Sequence, residues 1–185
     1  MFHVKQSAKI DAYIDFLKHY NETTNIYSRK AYDRLPFHSE DSVNIANIIG
    51  DTASVILDIG SGSGFPSIVI AIQNTKNKVF GVESKLKKAA FLSMAKNKLQ
   101  LKNYHVVRSD ILEYARAPFF VAADFITAKA FAPLGDVISL VSQFAKKKQT
   151  LIVPISVNQI SQIPKLKNGE RVIQKDPFFY FTKTF

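Results

Sequence analysis

The chain has 185 residues, 46% of them hydrophobic and none of them cysteine, and its 25 Lys and Arg against 15 Asp and Glu give a formal net charge of +10. This length fits one domain with a sizeable core, and the lack of cysteine excludes disulfides and thiolate zinc sites. No apolar run reaches the roughly 18 residues of a membrane span. The first residues lack the apolar stretch of a signal peptide, so we expect a cytoplasmic protein without membrane contact.

The basic excess favours a polyanionic partner, most often nucleic acid. Lysines cluster in "KNK" (76–78), "SKLKKAAF" (84–91), "KNKLQLK" (96–102) and "KKK" (146–148). A lysine-rich surface that serves solubility alone is the alternative interpretation, because charge by itself is not specific for a partner.

The first fifty residues contain two helical patterns. Apolar residues at helical intervals predict a helix over 8–20. A second helix is predicted over 39–49, with acids near its N-terminus. The residues between them are mixed and end at Pro36. We therefore expect one domain over 1–185, with a helical cap in 1–50 and an α/β core in 51–185.

From residue 54 onwards, strand and helix patterns alternate. Strands are predicted over 54–60, 78–83, 104–110, 123–130 and 149–156, and helices over 66–74, 84–100 and 134–145. The segments 171–175 and 178–185 alternate in polarity and predict an antiparallel strand pair. This alternation is typical of a mostly parallel sheet with helices on both faces. Ligands bind at the carboxyl ends of such strands, where Asp58, Glu83, Asp110 and Lys129 fall.

The stretch "LDIGSGSGFPS" (57–67) places Gly60, Gly62 and Gly64 between a strand and a helix. Glycines there let a ligand lie against backbone N–H groups at a helix N-terminus, although a tight turn alone also needs glycine. Glu83 ends the next strand, where a carboxylate can accept hydrogen bonds from two ribose hydroxyls. Loop, helix and acid together predict a site for a nucleoside cofactor.

The spacing of the glycines favours S-adenosylmethionine over NAD as this cofactor. The dinucleotide fingerprint is G-x-G-x-x-G, whereas here the third glycine comes one position earlier. S-adenosylmethionine has no pyrophosphate to be held, and Asp58 can act near its amino acid part.

Five segments in order, "NETTNIYS", "HSEDS", "LDIGSGSGFPS", "VESKLKKAAFL" and "AKAFAPL", resemble the bacterial small-subunit ribosomal RNA guanine-N7 methyltransferase family, also called glucose-inhibited division protein B. The resemblance runs from Asn21 to about Leu134. It implies a Rossmann-like class I S-adenosylmethionine-dependent methyltransferase fold. That fold is α/β, with a mostly parallel sheet, a C-terminal antiparallel strand pair and an N-terminal helical cap over the site.

The resemblance also implies roles for individual residues. Residues that bind the cofactor are implied to be Asp58 and the loop residues Gly60, Ser61, Gly62, Gly64 and Phe65. Glu83 is implied to take the ribose hydroxyls, with Ser84 beside it, and Asp110 or the main chain of Ile111 to approach the adenine. Catalytic or substrate-side residues are implied to be Asn25, His38 and Asp41 in the cap, with Ser42 beside them, and Lys129 at the end of the fourth predicted strand.

Three positions depart from the family pattern. Ser67 replaces a glycine, Lys129 replaces an arginine, and "VPIS" (153–156) stands where a lysine-glycine pair is expected. The last two fall where the RNA base should enter.

Each substrate-side residue also has a plainer interpretation. His38 is equally consistent with a structural histidine, and Asn25 with a turn residue. Lys129 fits either a contact to phosphate or to the cofactor carboxylate, or a buried stem with a solvated tip. The lysines of 84–100 fit RNA-backbone contact or a solvated helix face, Ser84 is the expected N-cap of that helix, and 178–181 is expected to be core.

The function implied by the resemblance is N7-methylation of one guanine in 16S ribosomal RNA, with the RNA or the small ribosomal subunit as substrate and the protein acting as a monomer. Guanine N7 has a free lone pair and no proton to lose, so no general base is required, and Lys129 is assigned to positioning. The target base must be unstacked to reach a recessed pocket. A small-molecule methyltransferase and a non-catalytic RNA-binding relic of the fold remain the alternatives.

Overall fold

The structure, a computed structural model, describes residues 2–163 and 165–185. Its centre is a sheet of seven strands: β1 (Val55–Ile59), β2 (Lys78–Val82), β3 (Tyr104–Val107), β4 (Phe125–Thr127), β5 (Thr150–Ile155), β6 (Glu170–Lys175) and β7 (Phe178–Thr184). The strand order is β3-β2-β1-β4-β5-β7-β6. Strands β1 to β5 pair in parallel, and β7 pairs antiparallel with both β5 and β6. This confirms the mostly parallel sheet and its C-terminal antiparallel pair.

Helices cover both faces of this sheet. They are α1 (Phe2–Thr24), a 3-10 helix (Arg29–Arg34), α2 (Leu35–Ile49), α3 (Ser67–Gln73), α4 (Leu86–Lys98), α5 (Ile111–Arg116), α6 (Leu134–Ser142) and α7 (Val157–Ser161). Ile56 joins the apolar core under α1 to α4, whereas Leu57 and Ile59 join the core under α5 and α6. Successive side chains of a strand point to opposite faces, so the buried run in β1 holds both layers to one sheet.

Several predicted boundaries were wrong. Helix α2 begins at Leu35, with Pro36 in its first turn, because the fixed φ of proline suits a helix start. The acids of 39–49 therefore lie inside the helix. Helix α4 has Lys85 as its N-cap, without a side-chain cap bond, so the expected Ser84 cap is not formed.

The 3-10 helix, α5 and α7 were not predicted, because each is too short for a periodic apolar pattern. Two of them do carry capping residues. Asp110 caps α5, so the third strand ends at Val107 and not at residue 110. Ser156 and Gln159 form a capping box at α7. Within the described residues, no helix has both the length and the apolar character to cross a membrane.

Candidate cofactor and base site

The three glycines of the loop are needed for different structural reasons. All have positive φ, at 69° for Gly60, 59° for Gly62 and 104° for Gly64. A Cβ at Gly60 would collide with the ring of Phe131, and one at Gly64 would lie 2.9 Å from the hydroxyl of Tyr13. A Cβ at Gly62 would meet only a backbone oxygen at 3.7 Å. Gly60 and Gly64 therefore make room for the protein itself, and Gly62 leaves open space for a ligand.

Glu83 ties the glycine loop to the start of α4. Its Oε2 accepts a hydrogen bond from the backbone N–H of Gly62 at 2.9 Å, and its Oε1 accepts one from the N–H of Lys85 at 2.8 Å. The side chain is buried. Each carboxylate oxygen can accept a further bond, so Glu83 can hold two ribose hydroxyls while it supports the loop.

The Glu83 side of the site is a cavity of about 300 Å³, which we call the Glu83 cavity. Its walls include Gly60, Glu83, Ser84, Asp110 and Ile111. Asp110 uses Oδ1 to accept the N–H of Leu112 at 2.8 Å as the N-cap of α5. The structure thus brings five of the predicted cofactor residues around one space.

A second space, which we call the loop cavity, lies on the other side of the glycine loop. It measures about 280 Å³, and its walls include Tyr27, His38, Phe65 and Lys129 as well as residues 60–63. Helix α1 holds the loop, because the hydroxyl of Tyr13 donates to the carbonyl of Ser63 at 2.6 Å. Gly60 and Lys88 line both cavities, so the two spaces adjoin at the loop.

Asp58, at the carboxyl end of β1, is a buried acid with one free oxygen. Its Oδ1 accepts a hydrogen bond from the hydroxyl of Thr127 at 2.7 Å, and its Oδ2 has no partner among the described residues. Burial raises the pKa of Asp58 to about 6. Sequence reasoning missed Thr127, because the apolar run of β4 gives no sign that its last residue faces an acid of β1.

These features fit S-adenosylmethionine. Glu83 offers acceptors to a ribose, and Gly62 leaves room beside the backbone. Asp58 lines neither cavity, but a cation close to its free, buried Oδ2 would favour the charged carboxylate. The cationic amino group of the cofactor has that charge.

Lys129 and Asp41 form a buried ion pair between α2 and the sheet. The Nζ of Lys129 lies 2.6 Å from Oδ2 of Asp41, and the side chains are 12% and 4% exposed. The hydroxyl of Tyr180 in β7 donates to Oδ1 of Asp41 at 2.8 Å. Burial lowers the pKa of Lys129, and the nearby Asp41 opposes this effect. The solvated-tip interpretation of Lys129 was therefore wrong.

Sequence reasoning placed Tyr180 only in the core of the last strand. Its ring is indeed fully buried, but its hydroxyl completes the environment of Asp41. Burial and the negative charge of Asp41 raise the pKa of Tyr180, so the phenol stays a hydrogen-bond donor. No local pattern could have indicated this contact, since the two residues are 139 positions apart.

His38 lies in α2 beside this ion pair. Its Nδ1 is buried and has no hydrogen-bond partner in the part of the chain that the structure describes. Burial and the charge of Lys129 lower the pKa of His38, which favours a neutral imidazole. Its carbonyl accepts a bond from the hydroxyl of Ser42 at 2.7 Å, so Ser42 supports the helix and does not face the ligand space.

Asn25 lies apart from the other predicted site residues. It is exposed, follows the end of α1 with a φ of 51°, and lines neither the loop cavity nor the Glu83 cavity. Asn21 from the same "NETTN" segment is buried, and it bonds both the carbonyl and the N–H of Tyr27. Asn21 thereby fixes the residue that lines the loop cavity, a role that sequence reasoning missed.

The lysines of α4 are separated along the helix. Lys85 and Lys88 lie at its N-terminal end, and both line the Glu83 cavity. Lys96 and Lys98 lie in its last turn, and Nζ of Lys98 is 5.1 Å from the ring centre of Phe16. Eleven residues of helix span roughly 16 Å, so only the first pair lies at the mouth of the site.

Comparison with solved structures defines the class of the fold. A SAM-dependent methyltransferase from Aquifex aeolicus aligns with a TM-score of 0.55 at 18% identity, covering 78% of this chain and 88% of that one. A structure of MtNAS in complex with S-adenosylmethionine aligns with a TM-score of 0.65 at 14% identity, covering 99% and 77%. The fold is that of the Rossmann-like class I S-adenosylmethionine-dependent methyltransferases.

Comparison of sequences defines the family. The profile of GidB, rRNA small subunit methyltransferase G, matches residues 6–173, and the chain belongs to this family. A relative named "Ribosomal RNA small subunit methyltransferase G" from Syntrophomonas wolfei is 37% identical over 119 residues, which are 64% of this chain and 56% of that protein. Relatives of the same name from Orientia tsutsugamushi and Helicobacter pylori are 31% and 32% identical, and the matches cover 70% and 74% of those proteins. These results confirm the resemblance found in the sequence.

Proposed function

We propose that this protein transfers the methyl group of S-adenosylmethionine to N7 of one guanine in 16S ribosomal RNA. The observation that carries the proposal is the position of the Lys129–Asp41 pair. Lys129 lines the loop cavity, beside the glycine loop whose other side is the Glu83 cavity. The cap residues and the cofactor loop thus meet at one place.

Methyl transfer from a sulfonium is an in-line displacement, so alignment of donor and acceptor carries much of the catalysis. When bound, the cofactor supplies an electrophilic methyl group. In this chain, Glu83 and the glycine loop orient the ribose, and the cap closes the other side. Guanine N7 loses no proton, which fits a neutral His38 that holds its place by packing and does not act as a base.

Positive charge passes from the sulfur to the purine during this reaction. A free lysine beside the base would oppose that transfer. Lys129 is 2.6 Å from the Asp41 carboxylate, and the pair is close to neutral as a unit. We therefore assign Lys129 and Asp41 to positioning of the base and to cancelling each other's charge.

The substrate that we propose is the RNA itself or the assembled small subunit, at a guanine in a conserved loop near the decoding region. Family membership supports the RNA, and the +10 net charge supports a polyanion. We propose that the protein acts as a single-domain monomer in the cytoplasm, with residues 1–50 as the cap.

The test uses ribosomal RNA from a strain that lacks the gene, as naked RNA and as intact subunits. Purified protein and S-adenosylmethionine are added, and 7-methylguanine is detected by primer extension after chemical cleavage. One modified guanine, also found by mass spectrometry in RNA of the parent strain, supports the proposal. If the protein binds S-adenosylmethionine but leaves every guanine unmodified, the proposal is contradicted and a small-molecule substrate is favoured. RNA binding without cofactor binding favours a non-catalytic relic.

A further inference from the structure

A third cavity, of about 490 Å³, lies beyond the ion pair, and we call it the α7 cavity. It is lined by residues of α2, the segment that follows β4, the carboxyl end of β5, the start of α7 and the β6–β7 turn. His38, Lys129 and Ala130 line both this cavity and the loop cavity. Neither Gly62 nor Glu83 lines it, so it is free of the residues that we assign to the cofactor. It adjoins the loop cavity at the three residues that line both.

The walls of the α7 cavity include two aromatic rings in contact. Phe37 is 50% exposed, and its ring centre lies 4.6 Å from that of Phe178, which is buried in β7. Val157, at the start of α7, is a second exposed apolar side chain of the lining. A half-exposed ring fixed from behind by a buried one offers a rigid face, and bases stack on such faces whatever their sequence.

At the inner end of this cavity, Lys129 is a hydrogen-bond donor, whereas each carboxylate oxygen of Asp41 already accepts from Lys129 or from Tyr180. The ammonium of Lys129 has three N–H groups. One faces Asp41 at 2.6 Å, and a second reaches the carbonyl of His38 at 3.4 Å. The third can donate to a ligand. Guanine presents the acceptor O6 beside N7, whereas adenine presents an amino group there.

We propose that the α7 cavity is the pocket for the target base, in which a guanine flipped out of the RNA stacks on Phe37 and turns O6 towards Lys129. The proposal rests on the proposed function for the identity of the base. It goes further in naming the stacking residue, and in assigning to Lys129 the choice of guanine over adenine.

The test is an NMR titration of ¹⁵N-labelled protein, saturated with S-adenosylhomocysteine, with guanosine, inosine and adenosine 5′-monophosphates. We expect guanosine and inosine monophosphates, which both carry O6, to shift the backbone amides of Val157 and Phe178. Adenosine monophosphate should bind at least about tenfold more weakly, since it lacks the acceptor.

The variant Phe37→Leu keeps an apolar side chain against Phe178 but removes the stacking face. It should weaken the binding of guanosine monophosphate at least about fivefold and leave the affinity for S-adenosylhomocysteine unchanged. The matched control is Phe119→Leu, an exposed aromatic at 70% that lines none of the three cavities. It should behave as wild type.

Three results would contradict the assignment of the α7 cavity to the target base. They are equal binding of guanosine and adenosine monophosphates, no saturable binding of either, and an unchanged affinity for guanosine monophosphate in Phe37→Leu. Ribosomal RNA methylation is assayed on the same samples. If wild type and Phe37→Leu methylate RNA with the same kcat/KM, the assignment of the α7 cavity is wrong and the proposed function is unaffected. If the nucleotides bind as expected and wild type methylates no RNA, the pocket stands and the proposed function fails.

Discussion

Lys129 Nζ lies 2.6 Å from Asp41 Oδ2, with both side chains almost fully buried. Asp41 belongs to α2, and Lys129 follows β4 of the sheet. One ion pair thus joins α2 to the sheet at the point where the loop cavity and the α7 cavity meet.

Removing one partner of this pair should harm turnover far more than cofactor binding. Asp41→Ala leaves a buried ammonium without its counter-ion, which costs about 3–5 kcal/mol of stability when a buried pair is broken. We expect a large loss of kcat in the primer-extension assay, and an almost unchanged Kd for S-adenosylmethionine by calorimetry. Asp15→Ala, an exposed acid of α1, is the control. Loss of cofactor affinity in parallel with kcat would contradict this assignment.

Variants at Lys129 test its role in positioning. Lys129→Ala should lower kcat/KM by the equivalent of roughly 1–3 kcal/mol, the range for a charged hydrogen bond. Lys129→Arg restores the family residue and keeps the charge beside Asp41, so it should be tolerated or should raise activity. An arginine variant as poor as the alanine variant would show that more than charge is needed there.

Gly62→Val should abolish binding of S-adenosylmethionine, because the open space at Gly62 would be filled and its φ of 59° disfavours a branched side chain. Calorimetry measures the binding. Gly135→Val is the matched control, since a Cβ at Gly135 meets nothing within 4 Å. A Gly62→Val variant that binds the cofactor normally, or wild type that binds NAD instead, would refute the assignment of the loop.

The two ends of α4 should differ in their effect on RNA binding. Replacing Lys85 and Lys88 by alanine should weaken RNA binding and flatten its dependence on salt, because fewer counterions are released. The matched variant replaces Lys96 and Lys98, and we expect it to leave the slope nearly unchanged. Filter binding over a range of salt concentrations gives both slopes. Equal slopes for the two variants would mean that the site mouth is not where RNA meets this helix.

Asp58 should make the unliganded protein less stable as the pH rises. Its folded pKa of about 6 exceeds the ordinary value of 3.8, so the folded state binds the proton more tightly than the unfolded chain. Stability is therefore lost as the pH rises from about 4 to above 6. Asp58→Asn removes this penalty, which is about 3 kcal/mol at 1.36 kcal/mol per pKa unit. The Oδ1 of asparagine can still accept from Thr127.

Denaturant unfolding at several pH values checks this. The Asp58→Asn variant should be more stable than wild type at pH 7.5, and the two should converge near pH 4. Asp15→Asn should follow wild type throughout. A constant difference at every pH would show that Asp58 does not titrate in this range.

The parts of this site that are local in sequence were predictable. The spacing of the glycines predicted the loop. The position of Glu83 beside it was predictable because the carboxyl ends of neighbouring parallel strands meet at one edge of the sheet. Thr127 and Tyr180 were not found, since each reaches its acid from a distant strand and looks like ordinary core. The caps at Asp110 and Ser156 had sequence signals, but the helices that follow them are too short to show a period.

The order of the strands in the sheet differs from their order along the chain, and this has a consequence for synthesis. Strand β7 is the last of the seven to leave the ribosome, yet it lies between β5 and β6. The Oδ1 of Asp41 lacks its donor, the Tyr180 hydroxyl, until that residue, 139 positions later, has been made. A nascent chain that already carries the complete glycine loop therefore still lacks one of the two groups that hold Asp41, and we expect methyl transfer only after β7 has joined the sheet.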